Sequence, residues 1–369
     1  MLDREADGPA AWDAGSAPGG GAAEPLASAG RPLSRRPRLT DVAARAGVSP
    51  GLVSLVLRNQ PGPSTPTRAR VLEAAQQLGY RADRMASLLA RRHSRHLGVV
   101  LDVRNTFHAE LVTDLDEAAG ALSYDMVLAT LTPARDERRA AEMLLDFRCE
   151  ALILLGPIDP AGRLASLGQE LPVVVVGRRI RSDTLDVVRA ADDQGVAQSV
   201  SHLADLGHRD IAFLDGGRGA IAADRRRGYR DAMRRRGLPD RLRIIPGDHT
   251  EEAGTRAADA LFAGGRPPTA VIASNDRSAV GLLDALARRG VPVPGGMSVV
   301  GYDDSVLARL AHVDLTTVSQ DARQQASQAV ALVVDRLETG RTAAREVVLI
   351  PRLVVRNTTG PPEPGLATS

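Results

Sequence analysis

The sequence predicts a small all-α head joined to a two-lobed α/β body with parallel sheets. Three observations predict it. Residues 39–89 carry helical apolar spacing punctuated by Gly47, Pro61, Gly62, Pro63, Pro66 and Gly79. From Leu97 onward, short apolar runs alternate with amphipathic segments, the pattern of strand–helix–strand crossovers. Charge separates the two regions: every one of the 47 basic residues is arginine, and residues 31–96 hold thirteen of them against three acids, net +10, whereas residues 1–30 and 97–369 are each net −4. At 369 residues, 43% apolar and 25% charged, the chain has an ordinary globular composition, which excludes wholesale disorder and a disulfide-stapled miniprotein. No run approaches the roughly 18 apolar residues of a membrane span. The first thirty residues also lack an apolar export segment, so a cytoplasmic protein with no membrane partner is expected. The single Cys149 has no disulfide partner and reads as a small buried hydrophobe.

Taken in order, residues 1–36 are rich in Gly, Ala, Pro and Ser and read as a disordered extension. Residues 37–82 form the head, 83–96 a connecting segment, 97–358 the body and 359–369 a tail. In the head, Thr40 is expected to cap a first helix with Val42, Ala43 and Ala46 on its inner stripe, and Gly47 permits a sharp turn. Val48 plugs the angle, Ser49 caps a second helix, Pro50 takes its first position, and Val53, Val56 and Leu57 face inward. A third helix, 66–78, completes the unit. This is a helix-turn-helix, whose second helix can enter a DNA major groove, and a net +10 module is the footprint of phosphate contact.

In the body, strands are expected at 97–103, 125–130, 151–155, 173–176, 211–215, 270–273 and 298–302, with helices at 109–121, 136–147, 194–206, 224–236, 250–262 and 276–289. The rhythm repeats over 97–190 and 191–317, and 320–337 supplies a further long helix. Two lobes with a cleft follow, and ligands of parallel sheets bind outside the carboxyl ends of the strands. Asn275 and Asp276 follow one strand and Asp303 and Asp304 another, so both pairs are expected to point into the cleft. Helix capping is the alternative for Asn275 and Asp303.

The ordered landmarks Leu39-Thr-Asp-Val-Ala-Ala-Arg-Ala-Gly-Val-Ser-Pro, Thr67-Arg-Ala-Arg-Val-Leu, Leu78-Gly-Tyr, Leu97-Gly-Val-Val, Leu206-Gly-His-Arg, Ser274-Asn-Asp, Val300-Gly-Tyr-Asp-Asp and Leu315-Thr-Thr-Val resemble the lactose/galactose repressor family of transcription regulators. The resemblance spans about Leu39 to Thr358. It implies a periplasmic-binding-protein-like body, a double-stranded DNA operator and a homodimer. It further implies a small-molecule effector, a carbohydrate among the candidates, and neither cofactor nor metal. It also implies a hinge helix in Asp83-Arg-Met-Ala-Ser-Leu-Leu-Ala90, where Leu89 wedges the minor groove, with Ala86 on the same face, a plain interdomain linker being the alternative. Asp83 stands where the family often has Asn, and Leu55 where it often has Arg. The residues expected at DNA are therefore Thr40, Ser49, Pro50, Gly51, Ser54, Leu55, Arg58, Asn59, Arg84, Ala86 and Leu89. Specificity is expected to rest on apolar contacts to thymine methyls, on Ser49, Ser54 and Arg58, and on DNA deformability, with a solvated or phosphate-contacting role favoured over base reading for Arg58 and Asn59.

For the effector, the same resemblance assigns contacts to Asn275, Asp303 and Arg225, the alternative for Arg225 being a surface charge within Arg225-Arg-Arg227. Phe107 and His108 stand where relatives often carry Phe-Phe. Aromatics are only 2% of the chain, leaving Phe107 and Tyr302 as the rings available for stacking, with core packing as the alternative. Asp192 adds an acceptor at the start of the second lobe. Two enzyme motifs are present by letter only. Gly47-Val-Ser-Pro-Gly51 matches a nucleophile elbow but lacks a preceding strand. Gly217-Arg-Gly-Ala-Ile-Ala222 resembles a dinucleotide loop but lacks the acid that holds the ribose. The seven His show no metal spacing. A solute-binding protein would share the two lobes but not the basic head, so a non-enzymatic, ligand-responsive repressor is the expected function.

Overall fold

The computed structural model describes residues 37–57, 60–80, 93–263 and 265–363. The chain divides into two compact units, residues 1–90 and 91–369. In the first, α1 (Leu39–Ala46), α2 (Pro50–Leu57) and α3 (Thr65–Gln77) enclose a core of Val42, Ala43, Ala46, Val53, Val56, Val71, Ala74 and Ala75. Thr40 does not cap α1, contrary to expectation. Arg38 holds that position, and the Asp41 carboxylate reaches back to accept its N–H at 2.6 Å, so the helix starts one residue before Thr40. Gly47 takes the left-handed conformation (φ 65°) that ends α1. Ser49 Oγ accepts the Leu52 N–H at 3.3 Å at the start of α2. Arg68 of α3 donates to the carbonyls of Val56 and Gln60, holding the end of α2.

The second unit is a pair of six-stranded sheets. The first-lobe sheet has the order β11-β5-β4-β3-β1-β2, all parallel, from β1 (His96–Leu101), β2 (Asp125–Thr130), β3 (Ala151–Leu155), β4 (Val173–Val176), β5 (Asp186–Ala190) and β11 (Glu346–Leu349). The second-lobe sheet has the order β12-β10-β9-β8-β6-β7, from β6 (Ile211–Leu214), β7 (Arg243–Ile245), β8 (Ala270–Ala273), β9 (Ser298–Asp303), β10 (Thr316–Ser319) and the antiparallel edge strand β12 (Arg352–Val354). Helices α4 (Thr106–Ala121), α5 (Glu137–Asp146) and α6 (Ala161–Glu170) belong to the first lobe. Helices α7 (Asp192–Asp205), α8 (Ala220–Arg235), α9 (Glu251–Phe262) and α10 (Asp276–Arg288) belong to the second.

The predicted seven strands are present within two residues at their ends. Five more, β5, β7, β10, β11 and β12, had not been predicted, because they are three to five residues long and interrupted by polar side chains. The long helix α11 (Ala322–Thr339) packs on the first lobe through Ala326, Ala329, Val330 and Val333. The lobes are therefore not consecutive halves. The chain passes from first to second lobe after β5, returns after β10 and crosses again after β11. Cys149 is buried in the first-lobe core, and burial pushes its thiol up to about 12.

Helices α9 and α10 approach closely at Gly254 and Gly281, where an added Cβ would overlap backbone of the facing helix. Because α10 begins at the cleft, this contact helps set the position of Asn275. Gly281→Ala is expected to lower body stability by about 1–3 kcal/mol through overpacking. Gly120→Ala, in open space near the end of α4, is expected to be neutral or stabilising. Urea unfolding of the two variants measures the contrast.

Candidate ligand-binding cleft and nucleic-acid interface

The carboxyl ends of the strands in both sheets open into one cavity of about 890 Å³. Its lining follows the strand ends: Asp102 after β1, Thr132 after β2, Gly156 after β3 and Arg178 after β4. From the second lobe come Gly216 after β6, His249 after β7, Asn275 after β8 and Asp303 ending β9, with Gln320 from the crossover after β10. Parallel strands share one polarity, so their trailing loops gather on one edge of the sheet, which is why residues far apart in sequence meet here. Across the cleft, Glu110 of α4 pairs with Arg309 at 2.9 Å and accepts the Val306 N–H, and Arg277 donates to the Arg104 carbonyl.

Arg225 is the anchor of the second-lobe wall. It is 3% exposed, so the surface-charge reading does not apply. Its Nε donates to Asp192 Oδ1 at 2.8 Å and its Nη1 to the Ser274 carbonyl, while Nη2 lies 3.7 Å from Asp303 Oδ1. The guanidinium sits 3.6 Å from the centroid of the Tyr302 ring, a cation–π contact. Burial raises the Asp192 carboxyl, and Arg225 opposes that rise. Burial likewise pushes Asp303 well above the ordinary carboxylate range against the pull of Arg225, and Gln320 donates to its Oδ1 at 2.6 Å.

The structure brings Phe107, His108, Arg225, Asn275 and Asp303 to the cavity and leaves two expected members behind the wall. Asp192 holds Arg225 from beneath, and Tyr302 is fully buried in the second-lobe core, so neither lines the cavity. The paired expectation for Asp276 and Asp304 also fails. Asp276 turns inward to accept from Thr317 Oγ1 and from Ser305 N and Oγ, and burial pushes it up to about 6. Asp304 pairs with Arg356 at 2.6 Å. The chain turns at both places, into α10 at Asp276 and through positive φ at Asp303 (121°) and Asp304 (55°), so one of each adjacent pair faces the cavity and the other turns into the protein. Asn275 does both jobs: Oδ1 caps α10 through the Ser278 N–H at 3.0 Å, while Nδ2 donates to the His249 carbonyl at 3.1 Å.

Two imidazoles complete the lining. His108 Nδ1 accepts the Asp102 N–H at 3.3 Å, which places the proton on Nε2 beside Gly156. Burial lowers His108 to about 4. On the other lobe, His249 packs on the backbone of Gly216, and burial with the nearby Arg225 charge lowers it to about 4 as well. His249, Asp102, Arg178 and Gln320 were not singled out from sequence. The first and last follow strands too short or polar to be seen. Asp102 and Arg178 follow predicted strands and were within reach of the same strand-end rule. Among the described residues, no group of three or more His, Cys, Asp or Glu could hold a metal ion, and no helix is long and apolar enough to cross a membrane.

In the head, Thr40, Ser49, Pro50 and Gly51 are exposed, while Ser54 and Leu55 are half-buried. Arg58, Asn59, Arg84, Ala86 and Leu89 lie outside the described residues. Ser49 stands in a turn between α1 and α2, so a helix stands where the nucleophile elbow needs a strand.

Residues 38–83 match the family of bacterial regulatory proteins, lacI family, and residues 200–359 match a periplasmic binding protein-like domain. The HTH-type transcriptional regulator GalR of Salmonella typhimurium is 32% identical over 331 residues, covering 88% of this chain and 96% of its own. The chain belongs to the lacI family of bacterial regulatory proteins. Like other members, this lacI-family chain is a DNA-binding transcription regulator with an effector-binding body. A LacI transcriptional regulator from a Rhodococcus species is similar in structure, with a TM-score of 0.70 at 43% identity, covering 72% of this chain and 98% of that one. The lac repressor dimer bound to operator and the anti-inducer ONPF matches with a TM-score of 0.76 at 26% identity, covering 88% of this chain and 100% of that one. These relatives are regulators rather than enzymes.

The two neutral imidazoles give the body a signature in pH. Unfolded His titrates near ~6.5, whereas the folded residues titrate at about 4. Between those values the unfolded state binds more protons, so stability falls as pH drops, by up to ~1.4 kcal/mol per pH unit for each His. His108→Gln is expected to flatten the urea-midpoint curve between roughly pH 6.5 and 4. An unchanged slope would remove His108 as a buried neutral group.

Proposed function

We propose that the chain is a homodimeric repressor that binds a pseudo-palindromic operator and is released or tightened by a small polyhydroxylated effector such as a sugar. The observation that carries the effector is the convergence of Arg225, Asp303, Asn275 and two neutral imidazoles on one cavity at the strand ends. A hydroxyl both donates and accepts, and this set offers a guanidinium, a carboxylate, an amide and imidazole nitrogens in either role. Phe107 adds an apolar edge. Asp192 and Tyr302 act on the effector through Arg225, by holding its guanidinium in place.

For the DNA, the exposed start of α2 at Ser49, Pro50 and Gly51 supports insertion of that end into a major groove, with Thr40 near the backbone. Ser54 and Leu55 take the next turn, and Arg58 and Asn59 contact phosphate. The segment 83–96 acts as the hinge, with Arg84, Ala86 and Leu89 at the minor groove, between a head of 37–82 and a body of 97–358. Paired hinges then wedge the centre of the operator.

Binding of the full-length protein to duplex DNA from upstream of its own gene, across a salt series, tests this reading. Sequence-preferring affinity that falls steeply with salt and disappears in a chain starting at Leu97 is expected. Equal binding by both chains would favour a solute-binding protein without DNA function. Leu89→Ala is expected to weaken specific binding more than non-specific binding, and equal losses would discard the wedge. Asp303→Asn, which keeps an oxygen for Gln320 and Arg225, is expected to weaken the small-molecule effect on DNA affinity while leaving basal affinity intact, and an unchanged response would remove Asp303 from the site.

A further inference from the structure

The amino edge of the first-lobe sheet, on the side away from the cleft, carries a cluster with no role in the function described so far. Among the described residues, three that are not glycine take the left-handed conformation there, each within three residues of the start of one of three neighbouring strands. They are Arg95 (φ 55°) before β1, Ser123 (φ 61°) before β2 and Arg148 (φ 59°) before β3. Ser123 and Arg148 follow the ends of α4 and α5, where glycine is the usual residue. Arg95 stands instead at the end of the connecting segment 83–96, and a residue with a side chain holds this conformation only where its surroundings fix it.

We propose that Ser94, Arg95 and Glu150 form an exit joint, which fixes the point at which the connecting segment leaves the body and makes Glu150 a positioning residue for specific DNA binding. The proposal rests on the reading of 83–96 as the hinge. Glu150 Oε1 accepts the N–H of Ser94 and, at 3.2 Å, that of Arg95. His93 Nδ1 lies 3.6 Å from the same oxygen. Ser94 Oγ donates to the Arg148 carbonyl at 2.6 Å and accepts the His96 N–H at 3.2 Å. The Arg95 guanidinium sits 4.8 Å from the centroid of the Tyr124 ring, and its Nη1 donates to the Leu122 carbonyl at 3.2 Å. Backbone bonds close the set: the Asp125 N–H donates to the Arg95 carbonyl and the Glu150 N–H to the His96 carbonyl, both at 2.9 Å. Leu122 and Arg148 stand just past α4 and α5, so the joint ties the chain to the ends of two helices as well as to β2 and β3.

A chain that enters a domain from a connecting segment ordinarily frays, because few contacts offset the entropy of holding it. Here two adjacent residues use both backbone N–H groups, a hydroxyl and a guanidinium. Their anchor is a carboxylate only 16% exposed, and a charged acceptor of two N–H groups holds more firmly than a neutral one. In the hinge reading, specific binding needs the connecting segments of two subunits to meet at one step of the duplex. Every residue released between body and wedge spreads the positions that the wedge can take. Freeing 93–95 from the sheet lengthens that tether while leaving the head and the cleft untouched. Non-specific binding through phosphate contacts makes no such geometric demand.

The test compares binding of the full-length protein to its preferred duplex, selected from random sequence, and to poly(dI-dC). Glu150→Ala is expected to weaken binding to the preferred duplex by about tenfold or more while changing poly(dI-dC) binding by less than about twofold. Glu150→Gln, which keeps an oxygen for the two N–H groups, is expected to recover most of the loss, and a Gln variant as weak as the Ala variant overturns the hydrogen-bonded joint. A general loss of folded protein weakens both duplexes alike, so equal losses overturn the joint, as does an unchanged preference. Leu89→Ala separates this claim from the hinge reading. If it weakens specific binding and Glu150→Ala does not, the joint falls and the hinge stands; if Glu150→Ala alone does, the joint stands and the wedge falls. Should the Ala variant fold poorly, hydrogen exchange of the wild type at single-residue resolution decides. The Ser94 and Arg95 amides are expected to exchange at least about tenfold more slowly than in an unstructured chain, and exchange at the unstructured rate overturns the joint.

Discussion

The buried guanidinium of Arg225 is the constraint on which the second-lobe wall depends. A charge at 3% exposure is costly to desolvate, and it is tolerated only when its donors are used and opposite charge is close. Asp192 from the start of α7, the Ser274 carbonyl at the end of β8 and Asp303 at the end of β9 supply those partners, and the Tyr302 ring supplies its face. One side chain thereby ties three elements, α7, β8 and β9, to α8. Removing either aspartate leaves a charge without its full compensation in a dry interior, so these residues are bound to each other before any ligand arrives. The cavity presents a preorganised surface as a result, which lowers the entropy that a ligand must overcome.

The same cluster reaches the junction of the lobes. Gln320, in the crossover between β10 and α11, donates to Asp303. A ligand that engages Asp303 therefore acts on a segment that belongs to both lobes. Glu110 with Arg309 and Val306, and Arg277 with the Arg104 carbonyl, are further contacts that exist only while the lobes face each other as they do here. Three chain crossings make any relative motion of the lobes a concerted one, because no single linker can move alone. Such an element, with discrete arrangements biased by a ligand, is what allosteric coupling requires.

Much of this was legible in the sequence. The strand–helix alternation, the helix-turn-helix and the segregated arginines point to the architecture, and strand-end polarity points to Asn275 and Asp303 at the cleft. The misses have physical causes. Strand β7 is a three-residue edge strand and β10 a four-residue Thr- and Ser-rich strand held by pairing on both sides, so neither shows as an apolar run and His249 and Gln320 went unseen. Asp276 and Asp304 were misdirected because the chain turns there, into α10 at Asp276 and through positive φ at Asp303 and Asp304, and a sequence alone does not say which of two neighbours turns inward. Tyr302 and Asp192 were recognised as belonging to the site, but burial places them under Arg225 rather than against a ligand. Thr40 looked like a cap by type, yet Asp41, one residue on, satisfies the Arg38 N–H and moves the helix start.

The central claim is that occupancy of the cleft and occupancy of the DNA-binding head are energetically coupled, and coupling is reciprocal. The most direct measurement is the affinity of a cleft ligand, taken from those that raise the melting temperature, for the full-length protein alone and saturated with its preferred duplex. The account predicts affinities that differ by a factor of roughly 5–150. Equal affinities in the two states, for a ligand whose binding is lost in Arg225→Met, would contradict it.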